Sequence, residues 1–232
     1  MDIIWNGLWQ AVHLLLTGDP EVLRVTALTL QVSGTATFIS LLLGLPLGAF
    51  LALQSFPGRR VIVSLINTGM ALPPVVVGLV VSLFLWRNGP FGFLRLMYTP
   101  TAMIIAQAII ATPMVTGVAM AGFQQLDSRL SRQVLALGAS SWQHFLVLLR
   151  EARYSVLAAV MAGLGAVISE VGASMMVGGN VQGQTRVLTT ATVMEVSKGN
   201  FDVAMALSTV LLFLTYGITF LLTLAQQKRR LG

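Results

Sequence analysis

The sequence contains no cysteine, which excludes disulfides and thiol chemistry. Charge is nearly as scarce. Asp, Glu, Lys and Arg make up 9% of the 232 residues, against about 25% in a soluble domain. Histidine is limited to His13 and His144, and no second His, Cys or paired acid stands at ligand spacing. No metal site and no catalytic residues are therefore expected. The phosphate-cradling pattern G-x-x-x-x-G-K-[S/T] is missing, so the chain is not expected to use ATP itself. Gly163-Leu164-Gly165 lies within an apolar run and reads as packing rather than as a nucleotide fingerprint. No internal repeat or low-complexity tract stands out, which weighs against transporters built from inverted repeats. Met1-Asp2-Ile3-Ile4-Trp5 puts an acid where a secretory signal would be basic, so no cleavable signal is expected.

What the sequence has in abundance is hydrophobic length. Apolar residues make up 56% of it, and the mean hydropathy is +0.83. An integral membrane protein follows, long enough for one bundle of a few helices. The formal charge of +6 would suggest nucleic acid in a soluble protein. Here it reads as arginines held on the cytoplasmic side, with no nucleic-acid partner. The hydropathy predicts an all-α fold of five spans, at about 28–53, 61–86, 101–121, 155–177 and 203–224, in one transmembrane domain over 1–232. Residues 2–16 are apolar but short, and Trp5 and Trp9 stand four apart, which predicts an N-terminal interfacial helix.

Within the spans, Gly44 and Gly48 form a small-x-x-x-small pair that lets another helix approach closely. Pro73-Pro74 removes two backbone donors and predicts a kink or break in the second span. Ala158, Ala162 and Ala166, continued by Ser169 and Ala173, predict a small-residue packing face on the fourth. Residues 178–200 are too polar to face lipid.

Five spans put the termini on opposite sides. With the C-terminus inside, the inner segments hold nine basic residues: Arg59, Arg60, Arg129, Arg132, Arg150, Arg153, Lys228, Arg229 and Arg230. The outer segments hold five: Arg24, Arg87, Arg95, Arg186 and Lys198. That bias predicts a multi-pass protein of the cell (inner) membrane, N-terminus outside and C-terminus cytoplasmic.

The longest charged interruption is residues 124–153. Leu130, Val134, Leu137, Ser141, Phe145 and Leu148 recur at spacings of three and four, so one helical face is apolar. Gly138 breaks the pattern, and Ser140 or Ser141 can cap a second helix. Two short helices bent at Gly138, outside the bilayer, are predicted. Glu170 is an acid inside a span, which is expensive. It reads either as part of a translocation path or gate, or as a structural lock on backbone freed near Gly172. Arg186, with Thr185, Thr189 and Thr190, carries donors suited to a tetrahedral oxyanion. The same residues also suit surface docking or helix capping.

Leu135-Ala136-Leu137-Gly138-Ala139, then Ser141-Trp142-Gln143 and Arg150-Glu151-Ala152-Arg153, resemble the cytoplasmic EAA loop of binding-protein-dependent ABC importer permeases. The Glu-Ala-Ala positions read Arg132-Gln133-Val134 instead, and the terminal proline is missing. A plain amphipathic connector is the other reading. Ser169-Glu170-Val171-Gly172-Ala173, Val177-Gly178-Gly179-Asn180, Gly183-x-Thr185-Arg186 and Thr189-Thr190-Ala191 resemble the segment shared by the molybdate, sulfate and tungstate permeases. Met175–Asn180 and Thr185–Thr190 are most similar to the tungstate branch.

The resemblance implies a type I ABC importer permease core carrying a tetrahedral oxyanion, foremost tungstate, with molybdate or sulfate as alternatives. It implies Leu135, Leu137, Gly138, Ala139 and Trp142 as the ATPase-coupling residues. Glu170, Asn180, Thr185 and Arg186 are implied at the translocation path or gate. The implied partners are a second permease copy, a cytoplasmic ABC ATPase dimer that holds ATP and Mg, and an extracytoplasmic oxyanion-binding protein. No cofactor is expected in this chain. The rival classes are an ATP-independent secondary transporter, which needs titratable relays within the spans, and a membrane enzyme, for which a catalytic set is lacking.

Overall fold

The computed structural model describes residues 18–227 together with Trp5, Trp9 and His13. The interfacial helix expected over 2–16 lies outside the described residues, apart from those three exposed positions. The basic tail from Lys228 lies outside them as well. The described residues are helical, with no strand among them.

Helix α1 (Pro20–Leu53) runs for 34 residues. At 1.5 Å per residue that is about 50 Å, well over the roughly 30 Å hydrocarbon core. Its first turns therefore stand clear of the apolar layer, which is why hydropathy alone places the start near Leu28. The start is set by local chemistry: Asp19 Oδ1 accepts from the N–H groups of Glu21 and Val22 at 2.9 and 3.0 Å, and Pro20 occupies N1. The buried stripe of α1 is small and weakly polar: Val32, Ser33, Ala36, Thr37, Ser40, Gly44 and Gly48. Two of the stripe's hydroxyls bond back on their own helix. Thr37 donates to Ser33 O at 2.7 Å and Ser40 to Ala36 O at 2.8 Å, so each satisfies itself on its own helix.

Helix α4 (Pro100–Gln124) is the axis of the bundle. It packs along α1 and against four further elements: α2 (Arg59–Met70), α3 (Pro74–Leu85), α7 (Arg153–Ile168) and α8 (Gly172–Gly178). The expected small pair makes the closest part of the α1–α4 contact. A Cβ on Gly44 would lie 2.7 Å from Val115 Cγ1, and one on Gly48 would lie 2.9 Å from the Thr116 carbonyl oxygen. Helices that gain little from apolar burial in lipid associate through such close van der Waals contact.

The second and fourth spans are both broken. Helices α2 and α3 meet at 101° across Ala71–Pro73, as the missing donors of Pro73 and Pro74 dictate. Helix α2 buries none of its residues within this chain. Helices α7 and α8 meet at 58° across Ser169–Val171, where hydropathy predicts a continuous helix. The packing face of α7 also differs from the one expected. Ala158, Ala162 and Ala166 are only half-buried, whereas Ala159, Gly163 and Val167 are buried. The reason is the notch at Gly163, whose missing Cβ would stand 2.6 Å from Val115 Cγ2. Seating Val115 there turns the helix by one residue.

Helix α9 (Leu188–Ser197) forms within the polar segment 178–200 and packs on α10 (Phe201–Gln227). Helices α1, α4 and α10 are each long and apolar enough to cross a membrane, and counting each bent pair as one span gives five. Between α4 and α7 stand the two predicted short helices, α5 (Ser128–Ala136) and α6 (Ser141–Glu151).

The α1 glycines give a test in which one substitution has opposite signs on one helix. Gly48→Ala meets the α4 backbone and should destabilise the protein by about 1–3 kcal/mol through overpacking. Gly34→Ala meets nothing within 4 Å and should be neutral or stabilising by up to about 1 kcal/mol. Thermal midpoints of the purified protein in detergent check both, and equal shifts would count against the close contact at Gly48.

Candidate functional site

The break between α7 and α8 frees backbone groups inside the bundle, and two of them are taken up by side chains. Glu170 is buried, and its Oε1 accepts from the Ala173 N–H at 2.8 Å. The carboxylate, one residue before the N-cap Val171, therefore caps the first turn of α8. The Glu170 carbonyl accepts from Thr189 Oγ1 at 3.0 Å, which ties the break to α9. This is the geometry of the locking reading of Glu170: the bonded carboxylate oxygen is occupied by backbone.

The far end of α8 is closed the same way. Gly179 and Asn180 both take left-handed backbone, with φ of 68° and 50°. Asn180 is buried; its Oδ1 accepts from Thr190 Oγ1 at 2.8 Å and its Nδ2 donates to Met194 Sδ at 3.2 Å. Thr185 is fully buried and donates to the Gly178 carbonyl at 2.5 Å while accepting from the Val181 N–H at 2.9 Å. Thr29 on α1 accepts from the Leu188 N–H at 3.0 Å and so pins the start of α9 to α1. The hydroxyls of Thr185, Thr189 and Thr190 are thus all engaged within the chain. In this conformation they cap backbone and present no free donor to an anion.

Arg186 edges that buried set: its Nη2 donates to Met194 Sδ at 3.5 Å, the atom that also accepts from Asn180. Its Nη1 lies 3.2 Å from Glu21 Oε1, which also accepts from Gln182 Nε2 at 2.7 Å. These residues border an open cavity of about 340 Å³ together with Asp19, Glu195 and Lys198. The cavity carries both signs of charge. Glu195 accepts from Lys198 Nζ and Asn200 Nδ2, each at 2.8 Å, and the lysine bond, then the asparagine bond, hold its carboxyl below the usual carboxylate range. What that contact contributes is present at neutral pH. It is lost as the pH falls through the depressed value.

One polar contact has only a weak sequence signal. Gln107, buried in the middle of α4, donates through Nε2 to Ser174 Oγ on α8 at 3.0 Å. A lone glutamine in an otherwise apolar span was the available clue, since buried amides in a bilayer need partners.

The α5–α6 pair is held by its own caps. Gly138 has φ +82°; its N–H donates to the Leu135 carbonyl at 3.0 Å, and the Ala139 N–H reaches the Val134 carbonyl at 3.4 Å. This is a Schellman turn, which favours glycine at the left-handed position. Ser140 and Gln143 then form a reciprocal capping box on α6. Ser131 Oγ and His144 Nε2, 2.8 Å apart, join the two helices.

The pair docks through Leu130, Phe145, Leu148 and Leu149 against the ends of α1, α4 and α7. Leu137 does not share that face as the spacing predicts. It is the C-cap of α5, beyond the last helical residue, and is 87% exposed. Leu135 and Trp142 are also exposed, and Ala139 is half-buried. The structure thus brings Leu135, Leu137, Gly138 and Trp142 together at one solvent-facing tip. Asn180, Thr185 and Arg186 lie in the α8–α9 connection, where Gly178 meets Met103 near the start of α4, whereas Glu170 lies at the α7–α8 break, beside the middle of α4.

Residues 44–231 match the family described as "Binding-protein-dependent transport system inner membrane component". The tungstate uptake system permease protein TupB of Peptoclostridium acidaminophilum is 38% identical over 98% of this chain and 100% of its own length. A probable anion ABC transporter permease protein of Haloferax volcanii is 41% identical over 86% of this chain and 88% of its own. Among solved structures, the MetNI methionine ABC transporter in an inward-facing conformation superposes with a TM-score of 0.73 at 20% identity, covering 90% of this chain and 95% of that one.

The capping role of Glu170 predicts a graded series. Glu170→Gln keeps an acceptor for the Ala173 N–H and should retain most assembly and thermal stability. Glu170→Ala should cost about 0.5–2 kcal/mol as a lost cap, more if the freed N–H stays dry. Thermal midpoint and transport are both measured. If the Gln and Ala variants assemble equally well yet are equally dead for transport, the charge itself is needed and the cap is secondary.

Proposed function

The chain belongs to the binding-protein-dependent transport system inner membrane component family, and from that premise we propose that it is the membrane subunit through which an ATP-driven importer takes up tungstate. The observation that carries the coupling is the α5–α6 tip, where Leu137 and Trp142 project into solvent from a turn fixed by caps at both sides. Exposed apolar anchors on a rigid helical pair fit helix-in-groove docking to a partner. In this reading Leu135, Leu137, Gly138, Ala139 and Trp142 insert into a cytoplasmic ABC ATPase. The ATPase dimer binds ATP and Mg, and this chain contributes no cofactor and no catalysis. The cargo assignment is supported by the near full-length similarity to the tungstate uptake permease; molybdate or sulfate are the alternatives.

Two copies of the permease enclose the path, because one five-span chain has too few walls for it. Supporting that, α2 buries no residue fully within its own chain. An extracytoplasmic binding protein delivers the anion on the face opposite α5–α6. The N-terminus lies outside and the C-terminus in the cytoplasm, as the arginine bias favours. Glu170, Asn180 and Thr185 hold the backbone at the gate, where the broken fourth span can pivot. Arg186, paired to Glu21, works at the mouth.

Two measurements test the reading. Vesicles with the reconstituted complex should take up tungstate only with ATP and binding protein, and uptake should survive dissipation of the proton gradient at constant ATP. Loss under that last condition would favour an ATP-independent carrier. Stronger competition by molybdate or sulfate than by unlabelled tungstate would reassign the cargo. For the coupling tip, Gly138→Glu should stay in the membrane yet lose co-purifying ATPase. Trp142→Ala should weaken capture by about tenfold, as one anchor among several. Full ATPase retention in both variants would leave α5–α6 as a mere connector.

A further inference from the structure

The loop joining α3 to α4, whose Tyr98 N–H donates to the Val177 carbonyl of α8 at 2.9 Å, carries a second cavity. It is open, encloses about 720 Å³, and is lined by Leu85, Arg87, Asn88, Phe93, Arg95 and Met97 among others. Arg87 and Arg95 are exposed, and neither guanidinium has a hydrogen bond or ion pair among the described residues. The loop is well built. The Gly89 N–H donates to the Trp86 carbonyl at 2.7 Å and the Phe91 N–H to the Phe84 carbonyl at 2.9 Å. A Cβ on Gly92 would lie 2.3 Å from the Trp86 carbonyl oxygen. Arg95 itself is held in left-handed backbone at φ +52°, its N–H bonded to the Gly92 carbonyl at 3.1 Å. A non-glycine residue in that conformation persists where its surroundings fix it.

Phe93, on the cavity lining, is 76% exposed, and the same loop leaves Trp86, Phe91 and Leu94 about half-exposed. The loop spans the gap between the end of one membrane helix at Leu85 and the start of another at Pro100. It therefore stands at the polar boundary of the bilayer, on the face opposite α5–α6. Aromatic rings prefer that depth, and arginine forks match phosphate oxygens in a bidentate fashion.

We infer that this cavity binds the phosphate group of an anionic phospholipid. Two unpaired guanidiniums supply the charge, and the wall of Leu85, Phe93 and Met97 supplies contact for the glycerol and upper acyl carbons. A free tetrahedral oxyanion has the same charge chemistry but gains nothing from that wall. The inference stands independently of the transported anion.

The test uses the purified protein in nanodiscs of equal phosphatidylglycerol and phosphatidylcholine, followed by native mass spectrometry of the lipids it retains. The wild type should keep phosphatidylglycerol over phosphatidylcholine by on the order of tenfold, the scale expected for two cations at an anionic surface. Arg87→Gln with Arg95→Gln should erase the preference without moving the thermal midpoint. The Lys pair should keep part of it, as a point charge without the fork. Phe93→Ser should weaken retention of both lipids with the arginines intact, and this readout stands even if the double variant fails to fold. No preference in the wild type, or a preference unchanged by the arginine substitutions, overturns the inference. Displacement of phosphatidylglycerol by millimolar inorganic phosphate or tungstate would make the free anion the ligand. Loss of binding-protein capture with lipid retention unchanged would make the cavity a protein dock.

Discussion

A helix that ends inside a bilayer must find partners for the backbone groups it frees, because no water is there to take them. The break between α7 and α8 meets that demand with Glu170 at one end and with Thr185, Asn180 and Thr190 at the other. Much of the polar inventory of the α8–α9 region is used in this way. Thr189 and Thr29 then carry the same network outward to α9 and α1. The short helix α8 is consequently a fixed unit hung between two polar hinges.

Close helix approach is the second constraint, and α4 is where it concentrates. Gly44 and Gly48 admit it from α1, and Gly163 admits it from α7. Gly78 serves the pairing of α3 with α8, where a Cβ would come 2.6 Å from the Ala173 Cα. The two broken spans are thereby packed against one another and against α4. By contrast, α2 and the outer flanks of α10 keep large apolar surfaces exposed, with Val61, Leu65, Phe213, Tyr216 and Leu221 all turned outward. The described residues leave those surfaces uncovered.

The α5–α6 pair solves a different problem, in water. Its two turns of backbone are closed by a Schellman motif and a capping box, both local and both independent of the bundle. Its inner face docks through Leu148, which is fully buried. The tip can then hold Leu137 and Trp142 in solvent without collapsing onto the bundle.

Sequence by itself determined the elements whose cause is local. Long apolar runs set the spans, the Pro73-Pro74 pair set the break between α2 and α3, and Gly138 with Ser140 set the bend of α5–α6. The small pair Gly44–Gly48 also declared its role, since spacing alone puts both residues on one face. Elements whose cause lies elsewhere in the chain were not legible. The break at Ser169–Val171 contains no proline and depends on Glu170 and Thr189 meeting across 19 positions of sequence. The packing face of α7 is chosen by Val115 seating over Gly163, not by the alanine periodicity within the helix. The threonines that suited either an oxyanion or helix capping serve as caps here because α8, α9 and α1 lie beside them. A hydroxyl's chemistry is written in the sequence, but what it bonds is decided by which backbone group the fold leaves unpaired within reach.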